Sequence, residues 1–120
     1  MLRKINLTEK FSLINETWSP KIAGQVNDCH VKLAKIKGEF VWHSHESQDE
    51  MFLVVSGEME LQTRDRSLIL TSGEFVIVPK GVEHRPVALE ETCIMLFEPL
   101  ETVNTGDVED SHTQKDLEWI

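Results

Sequence analysis

The chain has 120 residues, 40% hydrophobic and 28% charged, enough for one domain with its own core and no disulfide or metal staple. Its formal net charge of −9 and pI near 4.9 exclude nucleic acid and anionic membranes as main partners. No apolar run approaches a membrane span, and the absence of tyrosine removes phenol-based acid–base chemistry.

The first residues, "MLRKINLTEK", carry basic side chains but no apolar stretch of signal-peptide kind. Cys29 and Cys93 stand apart with no CxxC spacing. Both features lead us to expect a cytoplasmic, reducing setting. In "NLTEKFSLINETW", Asn6 with Glu9 three residues on is a capping-box pattern. Leu7, Phe11 and Ile14 recur at helical spacing, predicting a short helix over the N-terminal segment, closed by Ser19-Pro20.

From Val26 the period changes to two, so the expected organisation is a helical or extended segment over 1–25, a barrel over 26–99 and an acidic segment over 100–120. "CHVKLAKIKG" and "EFVWHSH" alternate as strands. "MFLVVSGEMELQTR" predicts two strands joined at Gly57, and "SLILTSGEFVIVPKG" two more split at Gly73. "HRPVALEETCIMLFEPL" predicts a further pair around Leu89-Glu90-Glu91. Turn signals about every ten residues indicate an all-β sandwich or barrel, and no helix-length segment separates the strands as a βαβ fold would need. The last 21 residues hold six acids and one lysine, and their apolar tip, Leu117, Trp119 and Ile120, is expected to dock on the barrel or on a partner.

Chemistry concentrates at "FVWHSHESQDE". On a helix, residues two apart diverge, whereas on a strand His43 and His45 share a face and can grip one ion. The alternation puts Val41, His43 and His45 on one side, and Phe40 and Trp42 on the other, away from any ion. After the polar turn, Glu50 falls in phase with Phe52 and Val54 and looks back at the histidines, with Asp49 as fallback. His84 follows the rigid turn "VPKGVEHRP". Three imidazoles and a carboxylate facing an interior form a mixed N/O site for one divalent transition metal: Mn, Fe, Ni or Zn. An ion there also resolves why acids and imidazoles occupy the most strand-like region, since unpaired they cost several kcal/mol. An HExxH reading of "HESQD" fails at Asp49 and needs a helix.

Taken together, "GEFVWHSHESQDEMFLVVSG" and "GEFVIVPKGVEHRPVA" resemble the two motifs of the cupin superfamily, and the chain is similar to its small single-domain, mannose-6-phosphate isomerase-like members. The gap after Gly38 is one residue short of the usual pattern, and Ala88 stands where an Asn is usual; neither is a metal-ligand position. The resemblance implies an all-β double-stranded β-helix (jelly-roll barrel), metal ligands His43, His45, Glu50 and His84, and a homodimer. It implies a metalloenzyme, isomerase or dioxygenase, for a small sugar-like, hydroxy- or keto-acid substrate, or alternatively a non-catalytic binding or sensing module. Catalytic residues stay unassigned, because no second acid–base group is evident beside the metal. Lys32, Lys35 and Arg85 are weighed as anion-holding cations against ordinary exposed ones, and Glu83 as a base against a solvated turn carboxylate. His30 and His112 read as surface histidines.

Overall fold

The alternating patterns become seven strands and one short helix among residues 2–120, which the computed structural model describes. Helix α1 (Leu7–Ser12) starts where Asn6 caps it, the side-chain oxygen accepting from Glu9 N–H at 2.9 Å. Strands follow at β1 (Lys21–Val26), β2 (Cys29–Glu39), β3 (Glu50–Ser56), β4 (Glu58–Thr63), β5 (Ser67–Thr71), β6 (Phe75–Val78) and β7 (His84–Pro99). The main antiparallel sheet runs β1-β2-β7-β3-β6, while β4 pairs with β5 and with β7. This is a double-stranded β-helix, with the short helix on its outside.

Strand β7 joins the two layers. Its first residues, His84 to Val87, pair with β4, and its far half, from Cys93 on, pairs with β3. The hairpin expected at Leu89-Glu90-Glu91 does not form: those residues are exposed and lie within one continuous strand of 16 residues. The acidic, turn-like composition marks where the strand changes sheets, and a tight reversal is not required. The sheet also begins five residues before Val26, because "KIA" pairs with Leu33 and Lys32 of β2. The HxH segment is the other departure: residues 40–49 form no regular strand, only a bridge from His43 to His84.

Between the layers lie Ile36, Phe52, Val54, Met59, Leu61 and Ile94, all nearly inaccessible. Burying each such side chain contributes roughly 1.5–3 kcal/mol. On the outer face, Phe11 of α1 and Ile14 just after it cover Leu33, with Met95, Val55 and Ile120 against the same cluster. Gly57 is needed where it sits. Its φ is +99°, and a Cβ there would come within 2.6 Å of Thr92 Oγ1.

The C-terminal segment folds back on the barrel. Ile22 N–H donates to Glu118 C=O and Ile120 N–H to Ile22 C=O, both at 2.9 Å, so the tip lies along β1. No helix among the described residues is long and apolar enough to cross a membrane.

Candidate metal centre

His43 and His84 face one another across two backbone hydrogen bonds, His43 N–H to His84 C=O at 3.0 Å and the reverse at 2.8 Å. Residues opposed in this way point to the same side, and the two rings lie 4.4 Å apart. Gly81 N–H donates to His45 C=O at 2.8 Å, so the "PKG" turn fixes the second histidine of the pair. Asp49, the fallback ligand, is otherwise engaged: its Oδ1 accepts from Lys80 N–H at 2.9 Å and ties the same turn. Glu50 opens β3 and points inward with Phe52 and Val54.

The four predicted residues come together. His43, His45, Glu50 and His84 are each at most 4% exposed, and each offers a ligand atom within 4.8 Å of the others. His43 Nδ1 lies 2.9 Å from Val41 C=O, and His84 Nδ1 the same distance from Val82 C=O. Each carbonyl accepts a hydrogen bond from Nδ1–H, which turns Nε2 towards the cluster with its lone pair available. Glu50 Oε1 lies 3.1 Å from His84 Nε2 and 3.3 Å from His45 Nε2. His43 Nε2 and His45 Nε2 are buried with no hydrogen-bond partner. Such orphaned nitrogens beside a carboxylate fit a divalent ion, since neutral imidazole and carboxylate are its ordinary N/O donors.

Electrostatics agree with that donor set. Burial, followed by the neighbouring His84, lowers the pKa of His43 to about 4, so its nitrogen stays neutral across the physiological range. Burial alone would raise Glu50, but the imidazoles of His45 and His84 close to its Oε1 outweigh it and hold the carboxyl well below its usual range.

A further carboxyl stands beside them. Glu98, on β7, is 2% exposed, and Lys32 Nζ donates to its Oε1 at 2.9 Å. Burial and the charge of Glu50 push Glu98 well above the ordinary carboxyl range, while Lys32 opposes the rise. The two neighbouring carboxyls are thus pushed in opposite directions, Glu50 down and Glu98 up. A second buried carboxyl thus stands beside the cluster, one that the sequence does not make evident. Its position was readable, since the period-two phase through Ile94 and Leu96 reaches Glu98, and the phase of Ala34 and Ile36 reaches Lys32.

Other candidates resolve by their contacts. Lys32 is neither free nor exposed: beyond Glu98 it donates to Thr102 C=O at 3.3 Å. Arg85 bonds Gln62 and Glu39, and Lys35 lies 4.0 Å from Glu91. Glu83 is exposed and accepts from Arg64 Nε at 2.7 Å, directed away from the cluster. Phe40 is corrected: it is buried with its ring edge-on to His43 at 5.4 Å, because the irregular 40–49 segment breaks the alternation that would have turned it outward. Trp42 does lie away from the cluster, beneath Arg64 at 3.8 Å. His30 and His112 are half-buried; His112 packs against Phe40 at 5.2 Å, and His30 against Trp119 at 5.4 Å.

The acidic segment contributes an unforeseen clamp. Asp107 N–H donates to Ser44 C=O at 3.0 Å, and Asp107 Oδ1 accepts from Ser44 N–H at 2.9 Å. That second bond lowers the Asp107 pKa. Gly106, at φ +56°, approaches so closely that a Cβ would strike the Ser44 carbonyl and lie 3.1 Å from His43 Cδ2. "NTGD" carried the signal, a Gly-Asp turn, but composition alone reads it as solvated tail.

Two spaces adjoin the cluster. A cavity of about 40 Å³ lies beside His43 and Glu50, walled chiefly by apolar side chains from Trp18, Phe40 and the strands. A surface cleft beside His45 is bordered by Glu46, Glu101 and Asp107.

Residues 29–98 match the family model described as "Cupin domain". A cupin-2 domain containing protein from Shewanella frigidimarina is 48% identical and superposes with a TM-score of 0.78, over 79% of this chain and 93% of that one. Protein NMB1881 from Neisseria meningitidis is 32% identical with a TM-score of 0.75, over 81% of this chain and 99% of that one. An uncharacterized protein, YdbB, of Bacillus subtilis is 39% identical over 75 residues, 62% of this chain; the match spans 66% of YdbB, just short of two thirds.

Proposed function

Because the chain belongs to the cupin domain family, we propose that it is a homodimeric, metal-dependent enzyme that holds one divalent transition metal through His43, His45, Glu50 and His84 and converts a small polar molecule, as an isomerase or a dioxygenase. The observation that carries the metal reading is the pair of buried, unpartnered nitrogens, His43 Nε2 and His45 Nε2. Leaving each without a partner costs about 1–3 kcal/mol, a cost that coordination removes. Mn, Fe, Ni and Zn all accept such ligands. When bound, the ion supplies Lewis acidity at a substrate oxygen or, if redox-active, electron transfer.

The chain's own residues supply the rest. Val41 and Val82 carbonyls hold two imidazoles in the productive tautomer. Glu50 contributes charge, and Glu98 contributes a second carboxyl at the cavity wall, pushed above the ordinary carboxyl range by burial and by Glu50. A perturbed, buried acid beside a metal cluster favours catalysis over passive sensing.

The test is to load the metal-free protein separately with Mn, Fe(II), Ni and Zn, then to screen oxygen uptake and the isomerisation of small hydroxycarbonyl compounds. Turnover is expected in at least one metal form and should vanish in the Glu98→Gln variant with metal content unchanged. A ligand held stoichiometrically without turnover in every form would favour the non-catalytic alternative.

A further inference from the structure

The cluster and the cavity beside it are closed as they stand. No ligand residue is more than 4% exposed, and about 40 Å³ holds about three waters at roughly 10–15 Å³ each. An ion on its way in, or a substrate larger than that, needs part of the wall to move. Most of the wall is fixed: Ala34, Ile36, Phe52, Ile94 and Leu96 are laddered into the sheet on β2, β3 and β7. The walls outside the strands are held unequally. Trp18 is pinned to β2 twice, its backbone N–H donating to Lys35 C=O and its indole N–H to Lys37 C=O, both at 2.8 Å. Phe40 N–H donates to Pro86 C=O on β7 at 3.1 Å. Asn104 has no such tie.

Its side chain bonds within its own segment: Nδ2 donates to His112 C=O at 2.8 Å, and Oδ1 accepts from Gln114 N–H at 2.9 Å. Around it, residues 103–117 stitch themselves together. Thr105, the buried residue of this stretch, shares a hydroxyl hydrogen bond with Thr113 at 2.7 Å, and Lys115 pairs with Glu109 at 2.9 Å. The segment lies against the aromatic side of the cavity, with the His112 ring 5.2 Å from Phe40 and 6.0 Å from Trp18. Among the described residues, its hydrogen bonds to the rest of the chain are the two between Asp107 and Ser44. Both flanks are anchored: Thr102 C=O accepts from the buried Lys32, and Glu118 C=O from Ile22 on β1. A segment whose bonds are internal and whose outward fastening is a single residue pair opens as a unit, because nothing within it has to break.

We propose that residues 103–117 are a flap over the cavity, hinged near Thr102 and Glu118 and fastened by Asp107 to Ser44, which opens to admit both the metal ion and a substrate larger than the closed cavity. Ser44 stands between His43 and His45, so the same fastening holds the two histidines, and Gly106 leaves no room for a Cβ against the Ser44 carbonyl. Admission of a substrate and retention of the ion are thereby coupled: the closed flap keeps the ion in, and each opening exposes it. The inference rests on the metal reading for what passes the flap, and not for the motion itself.

Hydrogen exchange on the metal-free protein tests the motion. The amides of Ser44 and Asp107 should exchange together, at least about tenfold faster than those of Ile94 to Leu96. Exchange as slow as that of the strand would overturn the flap. Stopped-flow absorbance with nickel tests the passage. In Asp107→Ala three rates should rise about tenfold, the worth of one charge-assisted hydrogen bond: nickel uptake by metal-free protein, its removal by EDTA, and the binding of acetohydroxamate to nickel-loaded protein. Asp107→Asn, whose amide oxygen still accepts from Ser44 N–H, should stay within about threefold of the wild type. Faster removal with unchanged uptake would mark a weakened site and overturn the flap alone. Failure of the wild type to hold nickel, zinc, manganese or iron would overturn the metal reading, and the exchange result would then decide the flap by itself.

Discussion

His43 and His84 exchange both backbone hydrogen bonds across a bridge that belongs to no regular strand. That single bridge does the work the sequence pattern assigns to a whole strand. It sets both rings on one side, and the Gly81–His45 and Asp107–Ser44 bonds then hold the rest of the segment in place. The arrangement is secured from three chain segments at once, and several expectations arise from how each contributes.

The clamp from the C-terminal segment is sensitive at one residue. Gly106→Ala forces a methyl group against the Ser44 carbonyl at a φ of +56°, which an L side chain resists. The variant should lose at least about 1 kcal/mol of stability. Its metal affinity should fall while the β-sheet circular dichroism is kept. Thermal melts and a chelator competition check both; unchanged affinity would separate the clamp from the cluster.

Lys32 and Glu98 should respond asymmetrically to truncation. Glu98→Leu leaves an ammonium buried with only Thr102 C=O at 3.3 Å and should cost about 3 kcal/mol. Lys32→Met should cost less, because Glu98 is already biased towards its neutral form. The double variant should recover most of the loss. Urea unfolding of the three variants decides the order, and equal single losses would contradict it.

Acid should destabilise the metal-free protein through His43. Its folded pKa, about 4, lies below the unfolded value of 6.5, so the unfolded chain takes up a proton that the fold refuses. That contribution is complete above pH 6.5 and is lost as pH falls towards 4, by up to about 3 kcal/mol. Chelator-treated protein should therefore melt progressively lower between those limits, and His43→Gln should flatten the slope. A slope identical in the variant would assign the effect elsewhere.

The proposed homodimer has an identifiable surface. On the outer sheet face, Met51 pairs with Ile77 and Leu53 with Phe75, beyond the part that α1 covers. Phe75 is 60% exposed and Ile77 55%, on an edge strand whose backbone is free on one side. Sedimentation should give a dimer for the wild type and a monomer for Phe75→Lys with Ile77→Lys. A monomeric wild type would contradict the proposal.

Much of this was legible in the chain, for physical reasons. Period-two alternation identifies strands wherever one face is buried, as in "EMFLVVS", and Gly57 and Gly73 mark their ends correctly. The four clustered residues could be named because ligand chemistry constrains both residue type and spacing. Alternation failed at residues 40–49, where a bridge and a turn replace the ladder, and so Phe40 was turned the wrong way. It also failed at Glu90 and Glu91, since an exposed stretch of strand passing from one partner strand to another shares its composition with a hairpin. Glu98 was missed, and the burial of Lys32 with it, for another reason: a charged residue at a strand position is normally exposed, and only tertiary pairing makes its burial tolerable.

Metal analysis of the wild type beside the His43→Ala, His45→Ala double variant addresses the convergence of these side chains most directly. One equivalent of a transition metal per chain is expected in the first and essentially none in the second, with both folded by circular dichroism. Full occupancy in the double variant, or no metal in the wild type after loading and desalting, would contradict the assignment.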